Sequence, residues 1–147
     1  MKKALIGIFI TVPFFSYAVE NRCAIVGSWM EQSLFDAVTH DLNIDAAVIQ
    51  RHKMKVNVMD ISPVSEVLAR HLARTDSNAD KQRNGEALLP EGDYFESYYT
   101  NGAKNITARY IFVNNKGQSD TFIASSIMNN DECSVRFNGY LILSRQF

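Results

Sequence analysis

Between Met30 and Leu42 the apolar side chains return at every fourth position, Met30, Leu34, Val38 and Leu42, with Phe35 beside the stripe. A period near 3.6 predicts an amphipathic helix from about Trp29 to His40. Ser28 and Glu31 stand just ahead of it at capping-box spacing, the serine hydroxyl accepting a first-turn N–H while the glutamate reaches back. Asn43 to Ile49 shows neither period and reads as a connection. The period then changes to two: Lys53 to Val58 alternates, with Met54, Val56 and Val58 on one side, and predicts a half-buried strand.

Ser62-Pro63 reads as a cap followed by proline in the first helical turn, where its missing N–H is harmless. Val64, Val67, Leu68 and Leu72 supply a stripe behind it, so a second helix is predicted from about Pro63 to Arg74. Thr75 to Gly85 is polar, charged and without period, and is expected to be a surface loop. Pro90 to Asp93 is a turn signal, and Tyr94, Phe95, Tyr98 and Tyr99 pair at helical spacing before Asn101-Gly102 stops the segment.

From Ile106 the pattern is β. Ile106 to Val113 is a strand, Asn114 to Gly117 a hairpin turn with residues that tolerate positive φ, and Asp120 to Met128 the return strand. Asn129 to Glu132 turns again, and Cys133 to Arg145 is the last strand. Asn138-Gly139 within it reads as a β-bulge that moves the inward face from Val135 and Phe137 to Tyr140 and Ile142. The predicted fold class is α+β, with one or two helices packed on an antiparallel sheet of about four strands. The terminal Phe147 invites comparison with outer-membrane barrels, but those begin at about eight strands.

The chain start changes this picture. Lys2 and Lys3 precede an apolar run from Ala4 to Phe15, and Ser16-Tyr17-Ala18 ends in small residues at the positions a signal peptidase reads. A cleaved signal peptide over 1–18 is expected, leaving one α+β domain over 19–147 in the periplasm or outside the cell. The apolar run is too short to span a bilayer, so stable membrane insertion is not expected. The formal charge of −1 falls to −3 when Lys2 and Lys3 leave. No clustered basic surface remains for nucleic acid.

The chain has two cysteines. In an oxidising compartment they pair most simply as a Cys23–Cys133 disulfide. Such a bond closes a long loop and would stabilise the fold by up to about 4–5 kcal/mol in the chain-entropy account. No Cys-x-x-Cys pair suggests redox chemistry. The three histidines, His40, His52 and His71, lack metal-ligand spacing; His71, at the edge of the second helical stripe, is expected to be partly buried. No metal or cofactor is predicted. No Gly-x-Ser-x-Gly elbow is present, and the acids Asp93, Glu96, Asp131 and Glu132 fall in turns or short segments where solvation is the ordinary role. Asn105-Ile106-Thr107 matches a glycosylation sequon but opens a strand, and is taken as coincidental.

Tyr94, Phe95, Tyr98 and Tyr99 are the candidate binding residues, because tyrosine offers large apolar area with a polar tip. The same spacing also suits pinning this segment to the core. The loop 75–85 is a second candidate for recognition. The order of parts, with Cys23 ahead of an N-terminal helix, an antiparallel sheet, and Cys133 opening the last strand, resembles small exported enterobacterial proteins of the colicin-immunity type. That resemblance is one of element order; it transfers no residue, and Ser62 to Gly85 is additional to it. The expected function is a small exported, non-enzymatic binding protein, such as an immunity protein or inhibitor of a toxin or enzyme, with another protein as partner. The alternatives are an assembly factor for a surface organelle or secretion system, and a small secreted hydrolase.

Overall fold

The computed structural model describes residues 21–147. The expected leader and its cleavage point lie outside the described residues. The order of elements is α1 (Trp29–Asp41), β1 (Lys55–Pro63), α2 (Glu66–Asn84), α3 (Glu91–Tyr99), β2 (Lys104–Val113), β3 (Ser119–Met128) and β4 (Arg136–Ser144). The connection after α1 is built from short 3-10 turns at Ala46–Val48 and Arg51–Lys53. All four strands form one antiparallel sheet in the order β1-β2-β3-β4. Three helices on such a sheet bear out the predicted α+β class.

Side chains along β2 and β3 alternate as a pleated sheet requires. Ile106, Ala108, Tyr110 and Phe112 of β2, with Phe122 and Ala124 of β3, are buried on one face. Met30, Leu34 and Val38 of α1 pack with them in one core. Ile127 points to the opposite face, where it joins Val64, Ala69, Ala73, Tyr98 and Ala103 in a second, smaller core under α2 and α3. The two helical units therefore take opposite faces of the sheet.

The middle of the chain departs from the sequence pattern. β1 runs on to Pro63, which pairs with Lys104. The Val64 N–H donates to Ala103 O (3.2 Å). Antiparallel alternation then turns the Pro63 nitrogen to the open edge, where a missing N–H breaks no ladder bond. The helix cap is accordingly Ser65 rather than Ser62, its Oγ accepting Leu68 N–H (3.2 Å). Nor does the helix stop near Arg74. The expected loop from Thr75 onward is its second half, because its inward positions are Ser77 and Asp80, both buried. An apolar-period search passes over such residues. Gly85 ends the helix in the left-handed region (φ 83°), its N–H donating to Lys81 O.

β4 starts at Arg136, and Cys133 lies in the lead-in to it. The bulge at Asn138-Gly139 is present: Ser125 faces Gly139 and Ser126 faces Phe137, which leaves Asn138 as the extra residue. Tyr140 turns inward onto Phe122 (ring centroids 5.8 Å). Ile142 does not complete the inward face and stays largely exposed, since an edge strand has a neighbour on one side only. Past β4 the chain folds back: Asp120 Oδ1 accepts the N–H groups of Gln146 (2.6 Å) and Phe147 (3.1 Å), and Phe147 packs on the first core. Cys23 and Cys133 form the expected disulfide, with Cα atoms 4.8 Å apart. Among the described residues no helix is long and apolar enough to cross a membrane.

Candidate functional site

Helical geometry divides the aromatic cluster on α3 into two pairs. Tyr94 and Tyr98 face α2. The Tyr98 hydroxyl donates to Asp76 Oδ2 (2.8 Å) and the Tyr94 hydroxyl to the Asp80 carboxylate. Burial, then the bond to Asp76, pushes the Tyr98 phenol well above its ordinary pKa, so it stays a neutral donor. Phe95 stacks on Tyr99 (5.2 Å), and the Arg70 guanidinium lies 4.4 Å over the Phe95 ring. Tyr98 is buried, Tyr94 and Phe95 are half-buried, and Tyr99 is exposed. The cluster chiefly fixes α3 to α2.

Asp76 extends this contact to the sheet. Arg136 of β4 holds it with two bonds, Nε to Oδ2 (2.6 Å) and Nη2 to Oδ1 (2.9 Å). Burial alone would raise the Asp76 carboxyl, but the bonds from Arg136 and Tyr98 outweigh it and hold the pKa below the usual aspartate value. Arg136 Nη1 also donates to Asn138 Oδ1 (2.7 Å), and Asn138 Nδ2 donates to Asn105 Oδ1 (2.9 Å) and Ser125 Oγ (3.0 Å). Asn105 Nδ2 in turn donates to Thr107 Oγ1 (3.3 Å), so the sequon asparagine is engaged within a strand. This chain of polar groups satisfies itself and presents no activated nucleophile. It locks α2 to the back of β4.

The histidines take surface positions. His40, beside Asp41, His52 and His71 are all exposed. The half-buried place expected for His71 is overturned, because α2 buries the Ala69–Ala73 side instead. Among the described residues no three His, Cys, Asp or Glu side chains gather as a metal site.

A different region combines exposure with rigidity. Trp29, the first residue of α1 and off its stripe, is 73% exposed. Ile25 and Val26, just before it, and Met59 of β1 are exposed as well. Ile25 and residues Val56 to Ile61 of β1 line an open groove of about 600 Å³. A smaller hollow of about 190 Å³ continues past Gly27, Ser28, Trp29 and Gln32. Residues 25–29 thus form one wall, and the outer strand β1, bulged between Val58 and Asp60, forms the other.

Several bonds hold that wall. Cys23 is tied to Cys133, and Ala24 O accepts the buried Tyr110 hydroxyl (2.7 Å). Ser28 Oγ accepts Glu31 N–H (3.3 Å), as a capping box requires. The reciprocal bond falls one residue earlier than predicted, Glu31 Oε2 accepting Gly27 N–H (2.8 Å), because Gly27 turns the chain at φ 88°. Glu31 is fully buried and its charge is met by Arg51, Nε to Oε1 at 3.1 Å plus a second bond from Nη2 to Oε2. Arg51 also lies 4.8 Å over the Phe35 ring. A buried carboxylate that loses its partner is costly, so this pairing specifies one loop geometry.

Sequence periodicity overlooks this place because Ile25, Val26 and Trp29 belong to no stripe. That is also the signal that could have found it: large apolar residues beside a cysteine and a helix cap, off the buried face, are exposed by construction. No protein-family model, curated protein or solved structure matches this chain.

Proposed function

We propose that the chain is a small exported binding protein, without catalysis of its own, that docks a partner protein on the groove between the 25–29 loop and β1. The observation that carries this reading is the exposure of Trp29, with Ile25, Val26 and Met59, on a wall fixed by the disulfide and the Glu31–Arg51 pair. Tryptophan is favoured in binding hot spots, and a wall ordered in advance lowers the entropy cost of association. An immunity protein or inhibitor that occludes a toxin or enzyme needs this kind of rigid surface. The disulfide supports an oxidising compartment for its work.

Trp29 is the only tryptophan in the chain, so its fluorescence reports this site alone. Protein captured from the envelope and medium of the producing cells with the wild-type chain, but not with an Ile25→Asp, Trp29→Ala variant, is the expected partner. Titrating it should shift Trp29 emission to the blue as the indole leaves water. Equal capture by the variant, or binding that leaves the emission unmoved, would sink the reading.

A further inference from the structure

The sheet has two outer strands, and their margins differ in kind. An open edge offers unpaired main-chain N–H and C=O groups to any other strand, and proteins guard such edges with charge, proline and bulges. β1 carries Lys55 and Asp60, a bulge between Val58 and Asp60, and Pro63 at its end. β4 carries no charged residue from Phe137 to Ser144. Leu141 is 66% exposed, and Ile142 and Leu143 are exposed beside it. Two register shifts bracket the run Gly139 to Ile142, which pairs regularly with β3 on its inner side.

The charges lie at the two ends of this strand and are opposite in sign. Asp131 and Glu132, both exposed, precede it, and Arg145 follows it. Arg145 uses Nε on Phe147 O (2.9 Å) and stands 3.8 Å from Asp120. An antiparallel pair of β4 strands about a two-fold axis near Tyr140 and Leu141 would set the Arg145 end of each copy against the Asp131–Glu132 end of the other. The apolar residues would meet at the centre, where no like charges oppose. A self-complementary patch of this kind is what an isologous dimer requires.

From this we infer that β4 is a self-association edge, and that two copies pair β4 to β4 to make one continuous sheet. The bulges keep the regular run short, so the contact falls at the small end of protein interfaces and the dimer is a dissociable one. The groove at β1 lies on the far side of the sheet order and remains open in each copy. The inference is independent of the reading given to that groove.

Sedimentation equilibrium of the oxidised protein, from micromolar to near-millimolar concentration, tests it. The expected result is a monomer–dimer equilibrium that Leu141→Lys abolishes while the monomer's thermal midpoint holds. Arg145→Glu should weaken the dimer by about fivefold, the upper range for an exposed ion pair, and pairing it with Glu132→Arg should restore the affinity. Met59→Lys, on the other edge, should leave dimerisation unchanged. A chain that stays monomeric throughout overturns the inference, even if a foreign strand is found to occupy the edge. So does a dimer that Met59→Lys disrupts and Leu141→Lys does not.

Discussion

On one face of the sheet α1 presses Met30, Leu34 and Val38 onto Tyr110, Phe112 and Phe122; on the other, α2 and α3 meet the strands through Asp76, Tyr98 and Arg136 around a small core of alanines. The first face is closed by area and shape. Rings stack edge-on at Phe112–Phe122 (5.2 Å) and Phe122–Tyr140 (5.8 Å), and many small contacts share the energy. The second is closed by direction. Each of its polar groups is satisfied in one arrangement, and the small Ala69, Ala73 and Ser77 let the backbone of α2 come close enough for Asp76 to reach β4. Apolar closure tolerates repacking, whereas a polar lock is specific and depends on charge state.

The largest break should come on the apolar face. Phe122→Ala removes a fully buried ring shared by Phe112 and Tyr140 and should cost about 3–5 kcal/mol in urea unfolding. On the polar face, Arg136→Met keeps the volume but leaves Asp76 without its cation, and should cost about 1.5–3 kcal/mol, the range for a hydrogen bond to a charged group. The two losses also differ in their response to acid. Because the folded Asp76 pKa lies below its unfolded value near 3.9, its contribution is complete above that value and fades as pH falls through the folded pKa. The gap between wild type and Asp76→Asn should therefore be level from about pH 7 to pH 5 and close below about pH 4. The Phe122→Ala gap should change little over the same window. A constant Asp76→Asn gap down to the acid limit would show that the lock works by shape rather than charge.

The same contrast decides what was legible in the sequence. α1, the β2–β3 hairpin, the bulge at Asn138-Gly139 and the disulfide pairing could all be read, because each has an apolar period, a glycine or a lone pair of cysteines behind it. The second half of α2 could not, since Ser77 and Asp80 occupy its buried face where a period search expects leucine. The Ser62-Pro63 signal misled because proline at the end of an outer strand looks, in sequence, like proline at the start of a helix. The pairing of Asp76 with Arg136 joins residues 60 positions apart and leaves no local trace. The groove wall around Trp29 was hidden for the opposite reason: its residues are apolar but lie outside every stripe.

The smallest effect separates the helix ends on the two faces. α1 is followed by Asn43 at φ 53°, and α2 by Gly85 at φ 83°. Asparagine reaches the left-handed region at modest cost, while alanine at such a position pays roughly 1 kcal/mol or more. Gly85→Ala meets no atom within 4 Å of the added Cβ, so its cost is conformational alone. It should destabilise the chain by about 1 kcal/mol, and Asn43→Gly should change it by only a few tenths. The strain at Gly85 falls on the last turn of α2, within reach of Asp80, whose bond from Tyr94 is its strongest hold on α3. Hydrogen exchange should therefore speed up in residues 77–84 of the Gly85→Ala variant and not in α1. Equal loosening of both helices would mean that the two faces of the sheet unfold as one unit, and the polar lock would then have no stability of its own to distinguish it.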